Sequence, residues 1–272
     1  ARARDIPARR LGPGSLVLLG QGARQHRIRT TETDQTRAIA KFISMDKALA
    51  KKLLQAAGLP VAAGRAVATA EEAWEAAQEI GLPVVVKPID GDRGRGVSIG
   101  LTRRETVLTA YELARLVGSP VLVERFATGA EHRLLVVAGQ VVAASRGDAA
   151  HVLGDGRATI AELIEQQLNS DPRRGLDLAA PLTRIELDGI TRLTLSQAGY
   201  TPESVPPAGE KVLVRRNGNH AGDVTDEVHP EVAALAVEAA QVIGLDVAGV
   251  DIVAEDIGRP LETQGGIIVE VN

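Results

Sequence analysis

The strands at the end of the chain constrain its fold most. Ile267-Ile268-Val269-Glu270-Val271 and the run from Val247 to Val253 are apolar enough to be interior strands, yet one carries Glu270 and the other Asp251. Burying a carboxylate among such neighbours is costly unless something positive compensates it. Residues two apart on an extended chain share a face, roughly 6.6 Å apart. Glu270 and Asn272 are therefore expected to project together, with Ile268 on the same side. Two carboxylates and a carboxamide oxygen form a hard-oxygen set suited to Mg²⁺. Taken alone, the same residues also read as strand ends facing water.

The chain around these strands alternates strand and helix signals. Leu16 to Leu19 is a short strand; Asp46 caps a helix through Leu49, Leu53 and Leu54 that stops at Gly58. Thr69 with Glu72, and Thr102 with Glu105, have capping-box spacing for helices ending near Gly81 and Val117. Pro83 to Lys87, Val97 to Ile99 and Val121 to Val123 read as strands, and Leu134 to Val137 with Val141 to Ala144 as a hairpin turning at Gly139-Gln140. Thr159 to Leu168 is a short helix, Val212 to Arg215 a strand, and Pro230 opens a helix continuing to Ile243. The pattern predicts an α+β fold of two lobes with a hinge near residue 125, both contributing to one cleft.

Composition narrows the function. With one Trp, two Tyr and two Phe, the interior must be built from Ala, Val, Leu and Ile, and the lack of cysteine excludes disulfides and thiolate metal sites. A net charge of −4 argues against a general nucleic-acid binder. No apolar run approaches the roughly 18–20 residues of a membrane span. The chain starts at Ala1 and stops inside its last strand, so it is expected to be part of something longer.

Two lysines and a loop add to the acids. Lys87 closes the apolar run Val84-Val85-Val86 and should reach into a cleft. Lys47 sits in the first turn of a helix, where the macrodipole disfavours a cation and a bound anion would relieve it; it also reads as a solvated surface lysine. The loop Asp90 to Ser98 holds three glycines and two arginines, a composition that lets backbone N–H groups converge on phosphate oxygens. It is neither a Walker A loop nor a dinucleotide fingerprint. Glu124 and Glu131 flank the crossover between lobes and could accept from adenine or ribose donors. His132 reads as structural.

In order, Lys47, Lys87, the glycine-rich loop, Glu124, Glu131, Asp251, Glu270 and Asn272 resemble the signature of the ATP-grasp superfamily of carboxylate–amine ligases. Within it the chain resembles the ATP-grasp module of the cyanophycin synthetase family over nearly its whole length. The specific stretches are Arg10-Leu11 through Thr36, Lys87-Pro88 through Ile99, His132 to Val137, Gly154-Asp155-Gly156 through Ile164, Asp171 to Gly175, and Ser204 to Glu210.

The resemblance implies an ATP-grasp fold with a lead-in over 1–45, a lid or small lobe over 46–125 and a large lobe over 126–272. It implies that Lys47 and Lys87 hold the α- and β-phosphates of ATP. The loop from Gly91, with Gly94, Arg95, Gly96, Val97 and Ser98, would close over the phosphates. Glu124, Arg125 and Phe126 would lie at the adenine and Glu131 at the ribose. Asp251, Glu270 and Asn272 would hold Mg²⁺. Arg215 would sit near the transferred phosphoryl, and Arg133 would grip the acceptor's carboxylate.

The implied reaction activates the C-terminal carboxylate of a growing poly-aspartate backbone as an acyl phosphate and joins aspartate, or β-aspartyl-arginine, to it. Other implications are a cytoplasmic homo-oligomer without nucleic-acid or membrane partners. Another ATP-grasp peptide ligase, glutathione-synthetase-like or glutamate-adding, and a nucleotide-binding module without catalysis are the rivals. Two departures from the family stand out. Asn219 is followed directly by His220-Ala221-Gly222-Asp223 where the family has a longer Asn-Leu-Ser-Thr-Gly-Gly stretch, and the family continues past Asn272 with Ala-Gly-Pro-Gly.

Overall fold

The structure, a computed structural model, describes residues 4–12, 14–89, 95–175, 182–216 and 220–272. The chain opens with a four-stranded antiparallel sheet, β1 (Ala8–Arg10), β2 (Leu16–Leu19), β3 (His26–Arg29) and β4 (Glu32–Thr33). Helices α1 (Ala38–Met45) and α2 (Lys47–Ala56) follow. The next unit contains β5 (Gly64–Val67), α3 (Ala70–Ile80), β6 (Val84–Pro88), β7 (Ser98–Leu101), α4 (Arg104–Arg115) and β8 (Val121–Arg125). Then come β9 (Ala130–Val137), β10 (Gln140–Gly147), β11 (Ala150–Leu153), α5 (Ile160–Leu163), β12 (Arg174–Gly175), β13 (Leu182–Thr183), α6 (Gly189–Gln197), β14 (Lys211–Arg215) and β15 (His220–Asp223). Helix α7 (Pro230–Ile243) and strands β16 (Val247–Ala254) and β17 (Ile267–Val271) end the chain.

Local chemistry explains the helix starts. The Asp46 carboxylate accepts from the N–H groups of Ala48 and Leu49 at 3.1 and 2.9 Å, and Thr69 accepts from Glu72 at 3.1 Å. Thr159 and Glu162 form a reciprocal capping box at α5. Thr102 and Glu105 do not. Helix α4 begins at Arg104 with Arg103 as its cap, so Glu105 falls one position short of the reciprocal bond. The β9–β10 hairpin turns through Ala138 and Gly139, both at positive φ (49° and 77°), the pair that a two-residue hairpin turn with matching twist requires.

Two sheets organise the molecule. The smaller, ordered β5-β8-β6-β7, packs Val84, Val86, Leu101 and Val123 against Ala73, Ala76, Ala77, Val107 and Tyr111 of α3 and α4. Three alanines on α3 let that helix lie close to the strands, which is how an interior poor in aromatics is filled. The larger sheet, ordered β15-β10-β9-β16-β17, turns Leu134, Val136, Val250 and Ile252 toward α7. Helix α2 joins this second core through Ala50 and Leu54, so packing places it on the large sheet although the sequence groups it with residues 46–125. A third cluster seats α5 and Leu195 of α6 against β11 and β14. Thr33 and Thr36 tie the N-terminal sheet to Asp246, just before β16, at 2.5 and 2.8 Å. Among the described residues no helix is long and apolar enough to cross a membrane.

Candidate active site

The open face of the large sheet carries a row of polar residues. Register aligns Asp223 of β15 with Ser145 of β10, Ser145 with Arg133 of β9, Arg133 with Asp251 of β16, and Asp251 with Glu270 of β17. Directly opposed residues of neighbouring strands point to one side of a sheet. The β16–β17 ladder slips by one residue here: Asp251 faces Glu270, but Ile252 faces Ile268. Val269 is therefore the extra residue of a bulge. This corrects the expectation that Ile268 shares a side with Glu270. Ile268 is fully buried in the helix-side core, while Glu270 and Asn272 face the other way.

Arg133 grips Asp251 with two parallel bonds, Nε to Oδ1 and Nη2 to Oδ2, both 2.7 Å, and Asn272 Nδ2 donates to Asp251 Oδ2 at 3.3 Å. This geometry raises the pKa of the guanidinium further. Glu131, two residues before Arg133 and on the same face, has its pKa pushed up to about 7. Burial is the chief cause, and the Asp251 and Glu270 charges add to it against Arg133 and Lys87. Glu270 is also raised, by burial first, with Lys47 opposing at 3.6 Å and Asp251 reinforcing.

A cationic group faces this acidic one. Glu124 of β8 is 4% exposed and sits between two ammonium groups: Lys51 of α2 at Oε1 and Lys87 of β6 at Oε2, the latter at 2.9 Å. Burial by itself would push the Glu124 pKa upward, but Lys87 and Lys51 outweigh it and hold it low. Lys51 is lowered by burial and by Lys87, with Glu124 opposing. Gly64, opposite Glu124, makes room for it: a Cβ there would meet Glu124 Cγ at 2.8 Å.

The site is thus polarised. Lys51 and Lys87 gather around Glu124, three acids gather around Arg133, and Lys47 faces Glu270 between them. Four cations and four acids balance overall, but the three acids around Arg133 have only that guanidinium and Lys47 paired against them. Among the described residues no three His, Cys, Asp or Glu side chains form a ready metal cluster. Mg²⁺ asks for only one or two carboxylates beside phosphate oxygens. Asp251, Glu270 and Asn272 carry oxygens of the kind that ion takes, with both Asp251 oxygens held here by Arg133. Beside it opens a groove of about 500 Å³ lined by Arg133, Leu135, Ser145, Asp223, Gly249 and Asn272, with Thr31 of the N-terminal sheet at its side.

The chain is similar to known proteins in sequence and in fold. Residues 46–166 match the family described as carbamoyl-phosphate synthase L chain, ATP binding domain. Over its full length the chain is 44% identical to the cyanophycin synthetase of Trichormus variabilis, covering 31% of that protein. It is 32% identical over 250 residues to the glutathione biosynthesis bifunctional protein of Clostridium perfringens, covering 89% of this chain and 32% of the relative. The crystal structure of a bifunctional glutathione synthetase from Pasteurella multocida superposes with a TM-score of 0.58 at 29% identity, over 98% of this chain and 37% of that one. The chain is an ATP-grasp domain. It spans about a third of the length of the curated relatives it matches.

Not every expected site residue of this ATP-grasp domain falls in the array. Lys47, Lys87, Glu124, Glu131, Arg133, Asp251, Glu270 and Asn272 do. Arg215, on β14, is bonded through Nη1 to Asp188 Oδ2 at 3.0 Å and Thr191 Oγ1 at 3.2 Å near the start of α6. Arg125 and Phe126 are held by their backbone N–H groups, to Ala63 and Pro83. Of the glycine-rich loop, residues 90–94, Gly94 among them, lie outside the described residues. Arg95 is exposed, Val97 is half-buried and Gly96 turns at φ 71°. Ser98 is 3% exposed, and its Oγ has no hydrogen-bond partner among the described residues. Residues 217–219, at the shortened stretch before β15, also lie outside. Lys51 escaped the sequence reading. Its only signal was the spacing of four from Lys47, which puts both on one helix face.

Proposed function

We propose that this domain joins an amine to a carboxylate at the expense of ATP, and that the carboxylate is the C-terminus of a growing cyanophycin backbone. The observation that carries the reading is the charged array: Lys51 and Lys87 on Glu124 for a polyphosphate, two carboxylates and a carboxamide beside them for its metal, and Lys47 at 3.6 Å from Glu270 joining the two. Identity to cyanophycin synthetases along the entire chain supports the choice of substrate.

In this reading Lys47 and Lys87 hold phosphate oxygens, Glu131 accepts from the ribose, and Asp251, Glu270 and Asn272 hold Mg²⁺. When bound, the metal offsets phosphate charge that lysines alone cannot. Arg133 borders the groove, and with its Nε–Nη2 edge on Asp251 it offers Nη1 to the acceptor carboxylate. A carboxylate oxygen takes the γ-phosphoryl and ADP leaves. The incoming amine then attacks the carbonyl carbon, inorganic phosphate leaves, and the surplus amine proton passes to water. Such chemistry needs positioning and charge neutralisation rather than a side-chain nucleophile. The amine is aspartate or β-aspartyl-arginine.

The test incubates the full-length protein with Mg·ATP, a β-aspartyl-arginine primer and either aspartate or the dipeptide, reading phosphate release and product mass. Elongation of the primer supports the proposal. Ligation of glycine to γ-glutamylcysteine in parallel assays, with no primer elongation, would replace it with a glutathione-synthetase-like function. Nucleotide binding without turnover on any acceptor would reduce it to a binding module.

A further inference from the structure

The sequence signature accounts for Lys47 and Lys87 but leaves Lys51 without a role. Its ammonium is nevertheless among the more deeply placed charges of the molecule: the Lys51, Glu124 and Lys87 side chains are 12%, 5% and 8% exposed. They come from separate parts of the fold, Lys51 from the helix packed on the large sheet, Glu124 and Lys87 from the small sheet. The two Glu124 oxygens are divided between the two lysines, one each. Two cations around one carboxylate leave one positive charge uncompensated inside the trio. Each ammonium also has three donors, of which the carboxylate takes one.

We propose that Lys51 is a positioning residue of the nucleotide site, whose positive charge on one oxygen of Glu124 keeps the Lys87 ammonium from being neutralised and so available to a polyphosphate anion. Without Lys51, Glu124 and Lys87 form a closed one-to-one pair with no net charge to offer. The inference rests on the nucleotide reading above. It adds that a lysine one helical turn beyond Lys47 acts on the phosphates through a shared carboxylate rather than by touching them.

The test uses the full-length protein and calorimetric titration of Mg·ADP into wild type, Lys51→Met and Lys51→Arg, with melting temperatures and KM values for ATP and for the acceptor. Lys51→Met is expected to weaken Mg·ADP about tenfold, the scale of one lost charge interaction in a partly screened site. KM for ATP rises in step, KM for the acceptor stays within about twofold, and Lys51→Arg restores most of the affinity. Should Lys51→Met fold poorly, Lys51→Gln, which keeps a donor to Glu124 without the charge, is read in its place. Unchanged Mg·ADP affinity in Lys51→Met or Lys51→Gln would overturn the inference. So would equal losses for nucleotide and acceptor that track a lowered melting temperature, the mark of a mere tie between lobes. Wild-type protein that fails to bind Mg·ADP would instead sink the nucleotide reading itself, and the inference with it.

Discussion

Glu131 and Glu270 carry the site's most testable physical claim, that these half-buried acids hold raised pKa values. Glu131 has its pKa raised to about 7 in the fold, against roughly 4.3 in an unfolded chain. A raised carboxyl stabilises the fold while protonated and loses that contribution as the pH climbs through the folded pKa. Without nucleotide or metal, the melting temperature is therefore expected to fall between about pH 4.5 and 7.5. Glu131→Gln should flatten that slope; parallel melting curves for variant and wild type across the range would contradict the assignment. Glu270 makes the complementary point in turnover. Glu270→Ala should lower ATP-dependent ligation by about 10²–10³, the scale of losing one preorganised electrostatic group. Its melting temperature should hold, because Glu270 is half-buried and loses only its pairing with Lys47 at 3.6 Å. Near-normal turnover in a steady-state phosphate-release assay would remove Glu270 from the metal set.

These side chains are placed by strands, and one glycine decides where the strand bearing Glu131 and Arg133 begins. Gly129 lies at φ 126°, and a Cβ there would stand 2.2 Å from the Ala254 carbonyl carbon at the end of β16. Gly129→Ala must push β9 from β16, and a loss of about 3 kcal/mol or more in urea unfolding is expected, within the range of severe backbone clashes. A loss under about 1 kcal/mol would mean that the β9–β16 junction gives way easily. The same elements show what the residues disclose unaided. Asp46, Thr69, Thr159 and Pro230 announce their helices because caps are local, and Gly139 announces its hairpin for the same reason. The bulge at Val269 is not local. Its ladder is fixed by Ile268 seeking the α7 core while Glu270 seeks the open face, so a strict period of two misassigns Ile268. Strands β1 and β3 were equally hidden, since Arg9, Arg10, Arg27 and Arg29 break any apolar run.

At the scale of the whole molecule, the eight charges of the site come from three places. Lys47 and Lys51 belong to α2, Lys87 and Glu124 to the small sheet, and Glu131, Arg133, Asp251 and Glu270 to the large one. Their order along the chain was legible as a signature, but Lys51 could be told from its exposed neighbour Lys52 only once α2 was seated on the large sheet. A ligand with phosphate at one end and a metal at the other touches all three sources at once, so it should stabilise the protein more than either part alone. Mg·ADP at one hundred times its dissociation constant is expected to add about 2.7 kcal/mol to stability. Mg²⁺ alone should add much less, because two carboxylates and a carboxamide lack the phosphate oxygens that complete its shell. ADP with EDTA should also add little, since the acidic end then repels the phosphates it faces. Thermal unfolding under these three conditions checks the claim. The Lys87→Met variant should lose most of the Mg·ADP increment while keeping its small response to Mg²⁺, and equal stabilisation by Mg²⁺ alone and by Mg·ADP would show that the lysine end takes no part.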